Sequence, residues 1–120
     1  MKIYDNFKEY NTLKDFVKSH KSPEIIILPY TISEAYIEKN DSGQDRLTLG
    51  CKNRRARFDH CLFGKKLSDS FIQEIGASKI EDLVGKQILA FESFVSIPKR
   101  VNAEPVYSIS GITPLHQKFY

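Results

Sequence analysis

The sequence predicts a single mainly β domain with helices, and three observations carry that expectation. Five runs rich in β-branched and aromatic residues have strand character: 24–38, 46–51, 57–63, 86–95 and 106–112. Between the third and fourth, Leu67, Phe71, Ile72 and Ile75 recur with helical spacing, and Gly76 follows as a stop. The length of 120 residues fits one hydrophobic core and is too short for two comfortable ones.

Residues 1–22 read as an N-terminal helical extension, because Phe7, Tyr10, Leu13, Phe16 and Val17 recur at spacings of three and four. Thr12 with Asp15 resembles a capping box, and Ser22-Pro23 closes the helix because the residue before proline is pushed out of the helical region. The amphipathic face of this helix is expected to pack on the outside of the body. Its functional alternative is a partner-binding or dimerising face, which would make the chain a homo-oligomer.

The body spans residues 23–113. Its first strand changes from a continuous apolar run to near alternation after Pro29, which predicts one long strand bent at the proline. Asn40-Asp41-Ser42-Gly43 supplies residues that tolerate positive φ, so the chain turns there into the strand carrying Leu47 and Leu49. Gly64 ends the next strand, and Ser68 or Ser70 is the expected cap of the helix that follows. A shorter helical piece starts at Ser78, with Glu81 as its capping partner, and ends at Gly85. Residues 96–104 form a proline-containing connector, and 114–120 a short terminal segment.

Composition excludes more than it assigns. The formal net charge is +3 and the pI about 8.8, a mild excess in which clustering matters more than the total. The opening Met1-Lys2-Ile3-Tyr4-Asp5 lacks the apolar centre of a signal peptide, and no later run approaches an uncharged membrane span. The chain is therefore expected in the cytoplasm, away from membranes. There Cys51 and Cys61 serve as small apolar fillers rather than a disulfide. Cys51, His60 and Cys61 are too few, and His60 and Cys61 point to opposite faces, for a zinc site. His20, His60 and His116 are far apart, and no Gly-rich phosphate loop or activated nucleophile is evident. No enzyme, metal or cofactor is expected.

The stretch Arg46 to Phe63 is different. Arg46, Lys52, Arg54, Arg55 and Arg57 are basic, and no acid intervenes between Arg46 and Arg57. Guanidinium forks engage phosphate oxygens with two N–H donors at once, so closely spaced arginines at a hairpin tip suit a phosphate backbone. The plainer reading is a solvated tip. Phe58 adds a flat face for a nucleobase. Alternation puts Phe58, His60 and Leu62 on one face and Arg57 on the other. Phe58 and His60 are expected outward at the strand start, with Leu62 under the rim. Tyr36 and Tyr107 are further surface candidates because each hydroxyl prefers water or a partner, whereas Phe91 and Phe94 belong to the core. Lys99 and Arg100 would form a second cationic lip.

Three strands in meander, a helix and two more strands is the order of a five-stranded Greek-key barrel of the oligonucleotide-binding (OB) type. The span from about Glu24 to Ile112 resembles the small OB-fold single-stranded-DNA-binding proteins of phages and mobile elements. The residues carrying this resemblance are Tyr36, Asn40-Asp41-Ser42-Gly43, Leu47-Thr48-Leu49, the helix ending at Ile75-Gly76, and Asp82-Leu83-Val84-Gly85-Lys86. It implies a non-catalytic role in DNA replication or recombination, with single-stranded DNA as ligand and RNA as the alternative. The acidic C-terminal tail that many cellular relatives use for recruitment is absent from this sequence. A competing expectation is a protein-interaction module, such as a small phage-encoded inhibitor presenting the basic loop to a host surface. Duplex or structured nucleic acid is a third ligand class.

Overall fold

Seven antiparallel strands form one sheet: β1 (Ile3–Tyr4), β2 (Glu9–Tyr10), β3 (Ile25–Lys39), β4 (Asp45–Lys52), β5 (Arg57–Phe63), β6 (Gln87–Val95) and β7 (Val106–Pro114). Their order across the sheet is β2-β1-β7-β6-β3-β4-β5. Helix α1 (Leu13–His20), helix α2 (Lys65–Ile75) and a 3-10 turn at Ile80–Leu83 complete the described elements. The structure, a computed structural model, describes residues 2–21, 24–95 and 106–115, and the side chains of 94, 95, 106 and 107 lie outside that description.

The β3-β4-β5 meander, the inserted helix and the β6-β7 pair follow the expected order, but the sheet is larger than five strands because the N-terminus is not a continuous helix. Asp5 prevents it. Its Oδ1 accepts the backbone N–H groups of Phe7 (2.7 Å) and Lys8 (2.5 Å), and its own N–H donates to the Lys8 carbonyl (2.9 Å), folding 5–8 into a tight turn. Only Leu13–His20 becomes helical. Thr12 caps it by accepting the Asp15 N–H at 3.1 Å, as the sequence suggests. The helix ends at Lys21, with φ 49°, and the proposed Ser22-Pro23 stop lies outside the described residues.

Nor is this segment an external appendage. Ile3 and Tyr4 are fully buried, and Tyr4 pairs with Ile112 of β7. Two residues on, Asn6 reaches the opposite end of the sheet: its Nδ2 donates to the Cys61 carbonyl (2.8 Å), and its carbonyl accepts the Phe63 N–H (2.9 Å). A segment that touches both β7 and β5 requires the sheet to curl around its core.

Strand β3 makes that curl possible by serving two partners. Residues 25–31 pair with β6 and residues 31–39 with β4, and the register shifts between Ile32 and Glu34. The irregularity therefore sits at Ser33, where an extra residue bends the strand, and not at Pro29, which pairs regularly with Leu89.

Helix α2 closes the main core, where Leu67, Phe71 and Ile75 meet Tyr4, Ile32, Leu47, Leu49, Leu62, Ile88 and Ile112. Each side chain of this size contributes about 1.5–3 kcal/mol when fully buried. The helix starts directly after Gly64 without a side-chain cap, so neither serine has the expected role; Ser68 instead donates to the Gly64 carbonyl at 3.0 Å. Gly76 ends it in the left-handed conformation, as expected. In the shorter piece the residue bonded to the Ser78 N–H is Asp82 rather than Glu81. Helix α1 lies against a second cluster, in which Phe16 meets Ile3 and Phe91. A Cβ on Gly111 would sit 2.8 Å from the Phe16 ring, so glycine there permits the close approach. No helix among the described residues is long and apolar enough to cross a membrane.

Candidate nucleic-acid interface

The register of β3, β4 and β5 sorts the proposed contact residues onto two faces. Lys52 is opposite Arg57, Gly50 opposite Asp59, Thr48 opposite Cys61 and Arg46 opposite Phe63, and all eight share one face. Glu34, Tyr36 and Glu38 of β3 continue those rows beside Gly50, Thr48 and Arg46. Leu47, Leu49 and Cys51, with Leu62 and His60, take the opposite face and are buried.

The predicted alternation is therefore right and Leu62 is buried as expected, but Phe58 and His60 turn inward with it rather than outward. His60 is 3% exposed, and Phe58 is half-buried against the core with its ring edge-on to Tyr30 at 4.8 Å. Neither is an outward platform at the strand start. The hydrophobic demand of the curled sheet claims both. Its Nε2 has no hydrogen-bond partner among the described residues. Burial lowers its pKa to about 4, while the nearby backbone of Tyr4 and the charge of Asp5 pull the other way. Phe58→Ala is accordingly expected to cost about 1–3 kcal/mol of stability, with little loss of any ligand affinity beyond that. Urea unfolding beside a binding titration separates the two effects.

The cationic tip is built as a rigid turn. Asn53 Oδ1 accepts the N–H groups of Arg55 (2.8 Å) and Ala56 (2.9 Å), and the Asn53 N–H donates to the Ala56 carbonyl (3.0 Å). The Asn53 Nδ2 donates to the Pro29 carbonyl at 3.2 Å, tying the loop to β3. Lys52, Arg54, Arg55 and Arg57 are exposed, and no ion pair to any of them occurs among the described residues. With Ser33, Glu34, Asn53 and Ala56 they line an open groove of about 520 Å³ at the β3 bulge.

Arg46 does not join this cluster. It lies six residues from Lys52, about 20 Å at the rise of a strand, and its Nη2 pairs with Glu38 at 3.1 Å. Tyr36 stands between the two ends of the face and is 41% exposed. Partial desolvation raises its phenol pKa, with Glu38, Asp59 and Glu34 adding to the effect. Those acids were not part of the sequence expectation. Glu34 reaches over β4 because Gly50 has no side chain: a Cβ there would fall 2.6 Å from the Glu34 Cγ.

Lys99, Arg100 and the 96–104 connector lie outside the described residues, as does His116. Tyr107 is placed in β7, but its side chain and that of Phe94 are outside the description. Phe91 is buried as expected. Cys51 is buried and Cys61 half-buried, on opposite faces, and both are free thiols.

One pair of aromatic residues was missed. Phe63, at the far end of the outer face from the tip, carries the Phe7 ring stacked on it, with centroids 4.9 Å apart and planes at 13°. Arg46 lies over the Phe63 ring, 6.0 Å from its centroid. Alternation counted from Arg57 places Phe63 outward and could have found it. Phe7 left no such signal, because its spacing to Tyr10 and Leu13 imitates a helix. Comparison with protein families, curated protein sequences and solved structures returns no match. The functional reading rests on the residues of this chain.

Proposed function

We propose that the chain is a non-catalytic single-stranded-DNA-binding protein, with β3–β7 acting as the five strands of an OB-type barrel. The observation that carries the reading is the Asn53-braced tip, which presents Lys52, Arg54, Arg55 and Arg57 with no ion pair to any of them among the described residues, although Glu34 lines the same groove. A loop already ordered loses little conformational freedom when phosphates bind. Tyr36 supplies an aromatic surface on the same face. The setting we infer is replication or recombination of phage or mobile-element DNA in the cytoplasm.

Fluorescence anisotropy with a single-stranded oligonucleotide at several salt concentrations tests this reading. With Arg46 paired and remote, four cations remain at the tip, and log affinity should fall with log salt at a slope of about −3. Replacing Arg54 and Arg55 together by Ala should flatten the slope by about 1.4, because each lost phosphate contact removes about 0.7. A duplex of the same length should bind more weakly, and an RNA strand sets the choice between DNA and RNA.

A second reading has its own observation. Glu34, Asp59 and Glu38 share the outer face with the basic residues, and a surface of mixed sign also suits a protein partner, as for a small phage-encoded inhibitor. No single-strand binding at low salt, or a slope indifferent to the double substitution, would select it.

A further inference from the structure

The Asp5 turn holds an aromatic ring in water. Phe7 is 71% exposed, although the two N–H bonds to Asp5 Oδ1 and the Asn6 bonds to β5 fix the backbone on either side of it. One contact orients the ring, the stack on Phe63. A side chain serving only to fill space would be buried. This one is oriented and left open.

Phe7 also lines a pocket of about 400 Å³ with Lys8, Glu9, Lys66, Leu67 and Ser70, between the N-terminal turn and the start of α2. The acid there is already engaged: Glu9 pairs with Lys2 at 3.6 Å and accepts the Ser70 hydroxyl at 2.6 Å. Lys8 and Lys66 are exposed and have no ion-pair partner among the described residues. An apolar ring flanked by two available ammonium groups is complementary to a nucleotide, whose base offers a flat face and whose phosphate carries the negative charge. Phe63 belongs to the same outer face as Lys52 and Arg57, so the pocket and the tip bound one continuous strip.

We infer that Phe7, Phe63, Lys8 and Lys66 form a base-stacking subsite for a single-stranded nucleic acid, about 20 Å along β5 from the arginine tip at the rise of a strand. This rests on the single-strand-binding reading and adds to it a second anchor. A strand engaged at the tip by phosphate contacts would place a base on Phe7 at the other end.

The test uses the whole chain and oligothymidylates of increasing length. Affinity should step up once the oligomer is long enough to reach both anchors, and Phe7→Ala should remove that step, weakening long oligomers about 5- to 100-fold. On oligomers too short to reach the pocket, both affinity and salt slope of Phe7→Ala should match the wild type, in contrast to the Arg54 and Arg55 double variant. Phe7 is exposed, and circular dichroism should show the variant folded. The chain contains no tryptophan, so Phe7→Trp introduces a single reporter whose emission should be quenched when a base stacks on it. If the oligomers bind with the expected salt slope while Phe7→Ala binds them normally and Phe7→Trp shows no quenching, the subsite is refuted and the tip stands. If the intact chain binds no single strand, both readings fall together.

Discussion

Replacing Phe71 with Ala is expected to lower the unfolding free energy by about 3–5 kcal/mol. Phe71 is fully buried and meets the Tyr4 ring edge-on, with centroids 5.3 Å apart and planes at 89°. It is the contact through which α2 grips β1, and the Tyr4 hydroxyl strengthens the same junction by donating to the Ser70 carbonyl at 3.2 Å. Domains of this size are stable by about 5–15 kcal/mol in total. The variant would therefore stand close to unfolding at ambient temperature. A urea titration followed by circular dichroism measures the effect as a lower midpoint at an unchanged slope. A loss below about 1 kcal/mol would mean that α2 does not seal the main core.

The second large effect is a dependence on acid set by His60. In the unfolded chain its imidazole titrates near the ordinary 6.5, and in the folded protein near 4. Between those values the unfolded chain holds a proton that the folded one rejects, so stability rises with pH through this window. The contribution is complete above pH 6.5, is lost progressively as pH falls, and levels off below about 4. A fall from 6.5 to about 4 amounts to about 3 kcal/mol. His60→Leu should remove this part of the profile while leaving the slope due to carboxylates at lower pH. Unfolding titrations of both proteins at pH 7, 5.5 and 4.5 give the comparison, and parallel profiles would show that His60 is not buried neutral. The residue faces the core, so a change in ligand affinity over the same range would need another titrating group.

What the sequence disclosed divides along physical lines. Strands β3 to β7 and helix α2 are legible because apolar alternation, turn residues and Gly76 agree with one another at every level. The two-residue strands β1 and β2 are not, since two residues cannot display a period. The spacing of Phe7, Tyr10 and Leu13 then supplies a false one. At the candidate site, alternation correctly separates Arg57 from Phe58, His60 and Leu62, yet parity is blind to which face is buried. That choice was decided by the core, which encloses Leu47, Leu49 and Leu62 and takes His60 with them. Arg46 looked like a member of the cluster because sequence distance hides the extended geometry of a strand. The acids on the outer face escaped notice for a related reason: Glu34 and Glu38 belong to a different segment, brought alongside by pairing between β3 and β4.

The docking of β1 on β7 has a consequence for folding. Tyr4 pairs with Ile112, and the Thr113 hydroxyl donates to the Lys2 carbonyl at 2.6 Å, so β1 is docked on a strand that is synthesised well after it. During translation Ile3 and Tyr4 must wait, apolar and unpaired, until β7 has left the ribosome. Contacts between segments so far apart in sequence carry a loop-closure cost and place the domain among slow folders, on the scale of milliseconds to seconds. The domain would thus complete its fold only once β7 has emerged.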